Sequence, residues 1–147
     1  MKREIKFRAW DKVYECYLYD VQGAYDMLSG CVKYENGENA VYDEECFAGF
    51  LDTDRYVVEQ YTGLHDKNGR EIYEGDILKV TSEDGESYAA IVKWFGDEGY
   101  PAFDLAGIPE TWNYDANALA TIFESGIETC EVIGNIFEDN QLLEGKR

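Results

Sequence analysis

Between Tyr61 and Val80 the chain carries two reverse-turn signals, which make this stretch its most clearly specified turn-and-strand unit. The first reversal is Asp66-Lys67-Asn68-Gly69 and the second is Glu74-Gly75-Asp76, with only Arg70-Glu71-Ile72-Tyr73 between them. Asn and Gly accept the positive φ that tight turns demand, so Asn68, Gly69 and Gly75 read as structural turn residues. Asp76 reads as the cap of the second turn, its carboxylate accepting backbone N–H bonds. Tyr56–Tyr61 before the turns, and Ile77, Leu78 and Val80 after them, have the composition of strands.

The same pattern continues downstream. Asp84-Gly85 is a hairpin signal, and in Ser87–Phe95 the residues Tyr88, Ala90, Val92 and Trp94 alternate with Ala89, Ile91, Lys93 and Phe95. Phe103-Asp104-Leu105 is a short strand in a section punctuated by Pro101 and Pro109. Leu119, Ile122 and Phe123 fall at helical spacing, with Asp115 as N-cap and Gly126 where a helix terminates. Ile127–Phe137 is the final strand, and Gly134 marks a bulge within it.

The N-terminal third is less patterned. Ile5, Phe7 and Ala9 alternate with Lys6, Arg8 and Trp10 as a half-buried strand, and Tyr14–Val21 is a second. Val21–Gly30 carries Val21, Tyr25 and Leu28 at helical spacing, but Gly23 opposes a helix. Cys31–Tyr34 is a short strand, and Asp43 caps a helical turn that places Phe47, Phe50 and Leu51 on one face. The fold class is therefore mainly β with minor α. A small curved sheet or SH3-like barrel fills the C-terminal part, residues 56–147, beside a smaller α+β N-terminal lobe, residues 1–55. A single domain overall is the alternative.

Charge limits the partners. The 147 residues carry 13 basic and 31 acidic side chains, a net charge of −18. Residues 1–12 are net basic, whereas Trp94–Gly145 contains no Lys or Arg. Such a field disfavours direct contact with nucleic acid or an anionic membrane, and it favours a basic protein partner or simple solvation. Tyr14, Tyr17, Tyr19, Trp94 and Tyr100 would need a cationic groove to stack bases, and so acidic a chain does not supply one. Core packing and a homo-oligomer contact account for these aromatics better. No apolar run approaches the roughly 20 residues of a membrane span.

Chemistry-bearing patterns are sparse. Cys16, Cys31, Cys46 and Cys130 form no Cys-x-x-Cys pair, and no secretory leader pattern precedes them. They read as free thiols in a reducing, cytoplasmic compartment. The lone His65 sits on a turn without a nucleophile motif, which favours a solvent-facing role over catalysis. A calcium loop starting at Asp66 would place Arg70 at an oxygen-ligand position and Glu71 where glycine is needed. Pairs such as Glu71/Glu74 or Glu74/Asp76 carry little weight in so acidic a chain. The sequence thus nominates no catalytic residue, cofactor or metal ligand.

Three segments carry a family resemblance. Arg3-Glu4-Ile5-Lys6-Phe7-Arg8-Ala9-Trp10-Asp11-Lys12, the stretch Gln60–Val80, and Glu131-Val132-Ile133-Gly134-Asn135-Ile136-Phe137-Glu138 resemble YopX-type phage proteins. Together they cover about a quarter of the chain, in family order. His65 stands where that family often has Lys, and Asp139-Asn140 replaces a frequent Asn-Pro, leaving the strand exit less rigid. The resemblance implies a mainly β protein of phages and prophages, with no catalytic residues to carry over. The functional expectation is a non-enzymatic, oligomeric binding or structural module. The alternatives are an acidic decoy for a host nucleic-acid-binding protein and a carboxylate-based hydrolase.

Overall fold

The computed structural model describes residues 5–24, 31–42, 46–96, 99, 102–109, 112, 114 and 117–139. The chain forms two compact units, Met1–Tyr61 and Thr62–Arg147, so the division falls within a strand rather than ahead of it. The expected mainly β class is what the chain adopts: two antiparallel sheets, one curled into a half-barrel, with few helices.

The first unit holds β1 (Phe7–Asp11), β2 (Cys16–Tyr19), α1 (Phe47–Leu51) and the first part of β3 (Tyr56–His65). β1 lies between β2 and β3, with Ala9 opposite Leu18 on one side and Val58 on the other. Ala9 and Leu18 point to the face that packs on Phe50, which is fully buried between the rings of Tyr42 and Tyr56. Burying Phe50 contributes about 1.5–3 kcal/mol. The opposite face of β1 departs from the half-buried expectation, because Arg8 and Trp10 are buried as well. Glu59 neutralises Arg8 there, and Tyr17 covers both side chains.

Other N-terminal expectations are trimmed. The second strand is four residues long because Glu15 and Asp20, both at positive φ, bound it. Val21–Gly23 forms a single 3-10 turn. Tyr25, Leu28 and Gly30, which would extend it to a helix, lie outside the described residues. Cys31–Tyr34 supplies one bridging residue, Lys33, which pairs with Tyr19 and with Asn39. Asp43 also lies outside the described residues, and the residue preceding α1 is Cys46.

The second unit contains the end of β3, β4 (Glu71–Tyr73), β5 (Asp76–Thr81), β6 (Ser87–Trp94), β7 (Phe103–Ala106), α2 (Ala118–Ser125) and β8 (Thr129–Asn135). Thr62 Oγ1 donates to the Ile72 carbonyl at 2.8 Å, tying the end of β3 to β4. The main sheet has the order β7-β6-β5-β8, an open and curled sheet rather than a closed barrel. Period-two alternation sends Leu78 and Val80 of β5, Ala90 and Val92 of β6, and Cys130 and Val132 of β8 to one face. Leu119 and Ile122 of α2 cover that face, as their helical spacing requires.

α2 is capped by Asn117, two residues after the expected Asp115, which lies outside the described residues. The Asn117 Oδ1 accepts the Ala120 N–H at 2.8 Å, and Gly126 ends the helix at φ 70°. On β8, Ile77 faces Gly134 but Leu78 faces Val132, so Ile133 is the extra residue of a bulge.

Candidate functional site

The first turn is organised by Asp66. Its Oδ1 accepts the N–H groups of Asn68 and Arg70, each at 2.9 Å. The backbone closes beneath it, with Asp66 N–H donating to Arg70 C=O at 2.8 Å and Gly69 N–H to Asp66 C=O at 2.9 Å. Gly69 sits at φ +83°, in the region where a Cβ is strained. The second carboxylate oxygen reaches across the unit: Val132 N–H donates to Asp66 Oδ2 at 2.8 Å. Beside it, Lys67 N–H donates to the Cys130 carbonyl at 3.0 Å. Burial alone would raise the Asp66 carboxyl, but the donors Val132, Arg70 and Asn68 outweigh it and hold the group below the usual carboxylate range.

The second turn is built the same way on a smaller scale. Asp76 is buried, and its Oδ2 accepts the Tyr73 N–H at 2.8 Å. Gly75, at φ +89°, donates its N–H to Val92 C=O at 2.8 Å and accepts from Ile136 N–H at 3.0 Å. One turn therefore joins β4 and β5 while binding the end of β6 and the exit of β8.

Next to the Asp66 turn lies a shallow groove of about 260 Å³, walled by His65, Lys67, Ile122, Phe123, Glu128 and Cys130. Its chemistry is muted. Glu128 Oε1 accepts the Tyr114 hydroxyl at 3.0 Å, and that hydroxyl is 2.8 Å from the Tyr88 hydroxyl. Burial, and next its contact with Tyr114, push the Tyr88 phenol far up, so it stays protonated. Burial, reinforced by the Asp66 charge, pushes the Cys130 thiol up to about 11. A buried, protonated thiol is a poor nucleophile. Among the described residues no group of three or more His, Cys, Asp and Glu is placed to hold a metal ion.

Asn68, Gly69, Gly75 and Asp76 thus lie at two separate turns of one unit. The hydrogen bonds of Asp66 Oδ1 and Asp76 Oδ2 within these turns run to backbone groups. Sequence patterns alone miss Asp66 as the hub. Its position two residues before Asn68 signals a local Asx turn, but nothing local signals its bond to Val132. They also miss the buried triad of the first unit. There Arg8 Nε donates to Glu59 Oε1 at 2.8 Å, and the Tyr17 hydroxyl donates to the same oxygen at 2.9 Å. The β pairing of Arg8 with Glu59 brings the two charges together, and a strand assignment alone leaves that partner unspecified.

At the β1–β2 turn a different pattern appears. Asp11 is buried, and its carboxylate receives Arg55 in two parallel bonds of 3.0 Å, Nε to Oδ1 and Nη2 to Oδ2. Asp11 Oδ1 also accepts the Val13 N–H at 2.9 Å. This clamp holds up Val13 and Tyr14, which are 62% and 69% exposed, with the Arg55 guanidinium 5.3 Å from the Tyr14 ring centroid.

Known proteins match this architecture across nearly the whole chain. Protein EF1440 from Enterococcus faecalis has a crystal structure similar over 97% of this chain and 99% of its own, with 26% identity and a TM-score of 0.59. Protein yopX from Bacillus subtilis shares the fold over 93% of this chain and 96% of its own, with 21% identity and a TM-score of 0.54. No curated protein matches the chain. The family model described as YopX protein matches residues 6–144, and the chain therefore belongs to the YopX family.

Proposed function

We propose that this protein is a non-enzymatic phage or prophage accessory module that binds other copies of itself in the host cytoplasm. The observation that carries this reading is the clamped β1–β2 turn. Tyr14 is 69% exposed, although the Asp11–Arg55 bonds fix the turn beneath it. Tyr and Arg are enriched at the centres of protein interfaces, and a preformed turn loses little entropy on docking. The non-enzymatic part is supported by how the carboxylates are used. Asp66 and Asp76 accept backbone N–H bonds, and Glu128 accepts a tyrosine hydroxyl.

Light scattering on the full chain over a concentration series tests the oligomer. Wild type should exceed the monomer mass, and Tyr14→Ala should lower it. A wild-type monomer at the highest concentration would sink the reading.

The decoy alternative draws less support. In the acidic stretch, Asp104, Glu128, Glu131, Glu138 and Asp139 each have an internal partner instead of serving only as surface charge.

A further inference from the structure

Three loops among the described residues share one backbone geometry. In residues 34–38, 66–70 and 82–86 the first residue's N–H donates to the carbonyl of the fifth, at 2.9, 2.8 and 2.8 Å. The glycine at the fourth place, Gly37, Gly69 or Gly85, sits at positive φ. It donates its N–H back to the first residue's carbonyl, at 2.9, 2.9 and 3.0 Å. The third place holds Asn36, Asn68 and Asp84. In two of the loops that side chain accepts the N–H of the fifth residue, Asn36 Oδ1 from Glu38 at 2.9 Å and Asp84 Oδ1 from Glu86 at 3.0 Å. In the 66–70 loop this donor is already taken. Arg70 N–H donates to Asp66 Oδ1 at 2.9 Å, so the Asn68 carboxamide lacks the partner that its place in the loop gives the other two.

We propose that Asn68-Gly69 is a self-modification site, where Asn68 deamidates faster than Asn36 because Asp66 takes the backbone donor that otherwise holds the carboxamide. The chemistry needs only water. The Gly69 amide nitrogen loses its proton to solvent hydroxide and attacks Asn68 Cγ, closing a cyclic imide. The Cγ–Nδ2 bond breaks, and ammonia leaves with a proton from water. Water then opens the ring at either carbonyl, leaving aspartate or, with the peptide running through the side chain, isoaspartate. Glycine presents no Cβ to obstruct this attack, and both Asn-Gly pairs are exposed. The bond from the glycine N–H to the first residue is the same in both loops, so that restraint cancels. The carboxamides differ. Asn36 must release the Glu38 N–H before its Cγ can turn onto the nitrogen, and Asn68 has no such bond to break.

Charge acts in the same direction. The attacking nitrogen is anionic, and neighbouring cations stabilise an anion where carboxylates oppose it. Asn68 lies between Lys67 and Arg70, whereas Asn36 lies between Glu35 and Glu38. The product acts on the hold that this turn has on β8. Isoaspartate adds a carbon to the backbone between the third and fourth places, which shifts Gly69 and Arg70 against Asp66. The other Asp66 oxygen is the one that accepts the Val132 N–H.

Peptide mapping of the full chain, incubated at mildly alkaline pH, follows both sites by mass. Salt at about 1 M shortens the screening length to about 3 Å and removes most of the charge difference, which leaves the hydrogen bond as the variable. In the folded chain at that salt, Asn68 should convert about fivefold faster than Asn36, the equivalent of one hydrogen bond of about 1 kcal/mol. In guanidinium chloride, where neither loop exists, the two rates should converge. Asp66→Ala returns the Arg70 N–H to Asn68 and should slow Asn68 towards the Asn36 rate. If Asp66 acted only by stiffening the loop, the same variant would convert faster, and that result overturns the proposal. Equal rates at the two sites of the folded wild-type chain, or a faster Asn36, overturn it without any variant. The isoaspartyl fraction, separated by charge, should exchange the Val132 N–H faster than the unmodified chain, and unchanged exchange overturns the loosening of β8.

Discussion

Arg8 Nε lies 2.8 Å from Glu59 Oε1, with both side chains almost completely buried. The Tyr17 hydroxyl donates to the same oxygen, and the Arg8 guanidinium stacks 4.1 Å from the Tyr17 ring centroid. Removing one member strands a charge out of water. Glu59→Ala is therefore expected to lose about 3–5 kcal/mol in chemical denaturation. Arg8→Met with Glu59→Leu should recover most of that loss, since apolar replacement of both partners leaves no charge behind. Equal losses in the single and double variants would contradict this account.

Gly69 and Gly134 should fail for different reasons when replaced by Ala. A Cβ at Gly69 meets nothing within 4 Å, so only its φ of +83° resists, at about 1–2 kcal/mol. A Cβ at Gly134 would lie 2.6 Å from Asp139, whose Oδ2 accepts the Asn135 N–H. Gly134→Ala should cost about 1–3 kcal/mol by overpacking. Adding Asp139→Gly should recover part of it, whereas the same addition to Gly69→Ala should not. Thermal melts of the four variants separate the cases.

Thiol labelling reads burial directly. Cys31 and Cys46 are exposed, Cys16 is half-buried and Cys130 is buried. With its pKa pushed up to about 11 by burial and then by Asp66, Cys130 is protonated at neutral pH. Alkylation followed by mass spectrometry should modify Cys31 and Cys46 first, and Cys130 only as the second unit unfolds.

Acid should loosen both carboxylate-centred turns. For Asp11 and Asp66, burial raises the carboxyl, but hydrogen bonds outweigh it and the folded pKa lies below 3.8. The unfolded chain then binds protons first as the pH falls. The stabilisation is fully present above the unfolded value of about 3.9, and is lost as the pH falls through the folded values. Asp66→Asn should flatten part of this acid slope in denaturation measured from pH 5 to pH 2. A slope identical to wild type would remove Asp66 from the account.

The turns were legible because their chemistry is local. Gly69 and Gly75 answer to φ, and Asn68 and Asp76 to partners two or three residues away. The α2 face was legible from period 3.6, and the Gly134 bulge from a glycine inside a strand. The cap of α2 was misplaced because Asp115 and Asn117 both suit that role. The choice of Asn117 is reinforced by its bond to the Phe103 carbonyl, which no local rule reveals.

Sequence by itself determined where this chain turns, which residues of its strands face a core, and which family it resembles. Each of those follows from backbone preferences or short periodicity. Tertiary structure alone decided which distant partners the polar residues find. Asp66 spends one oxygen on its own turn and the other on Val132, 66 residues away, and Arg8 finds Glu59 only through the pairing of β1 with β3. A carboxylate or a guanidinium is specified by the donors and charges that folding places around it, and those come from strands that sequence distance does not connect.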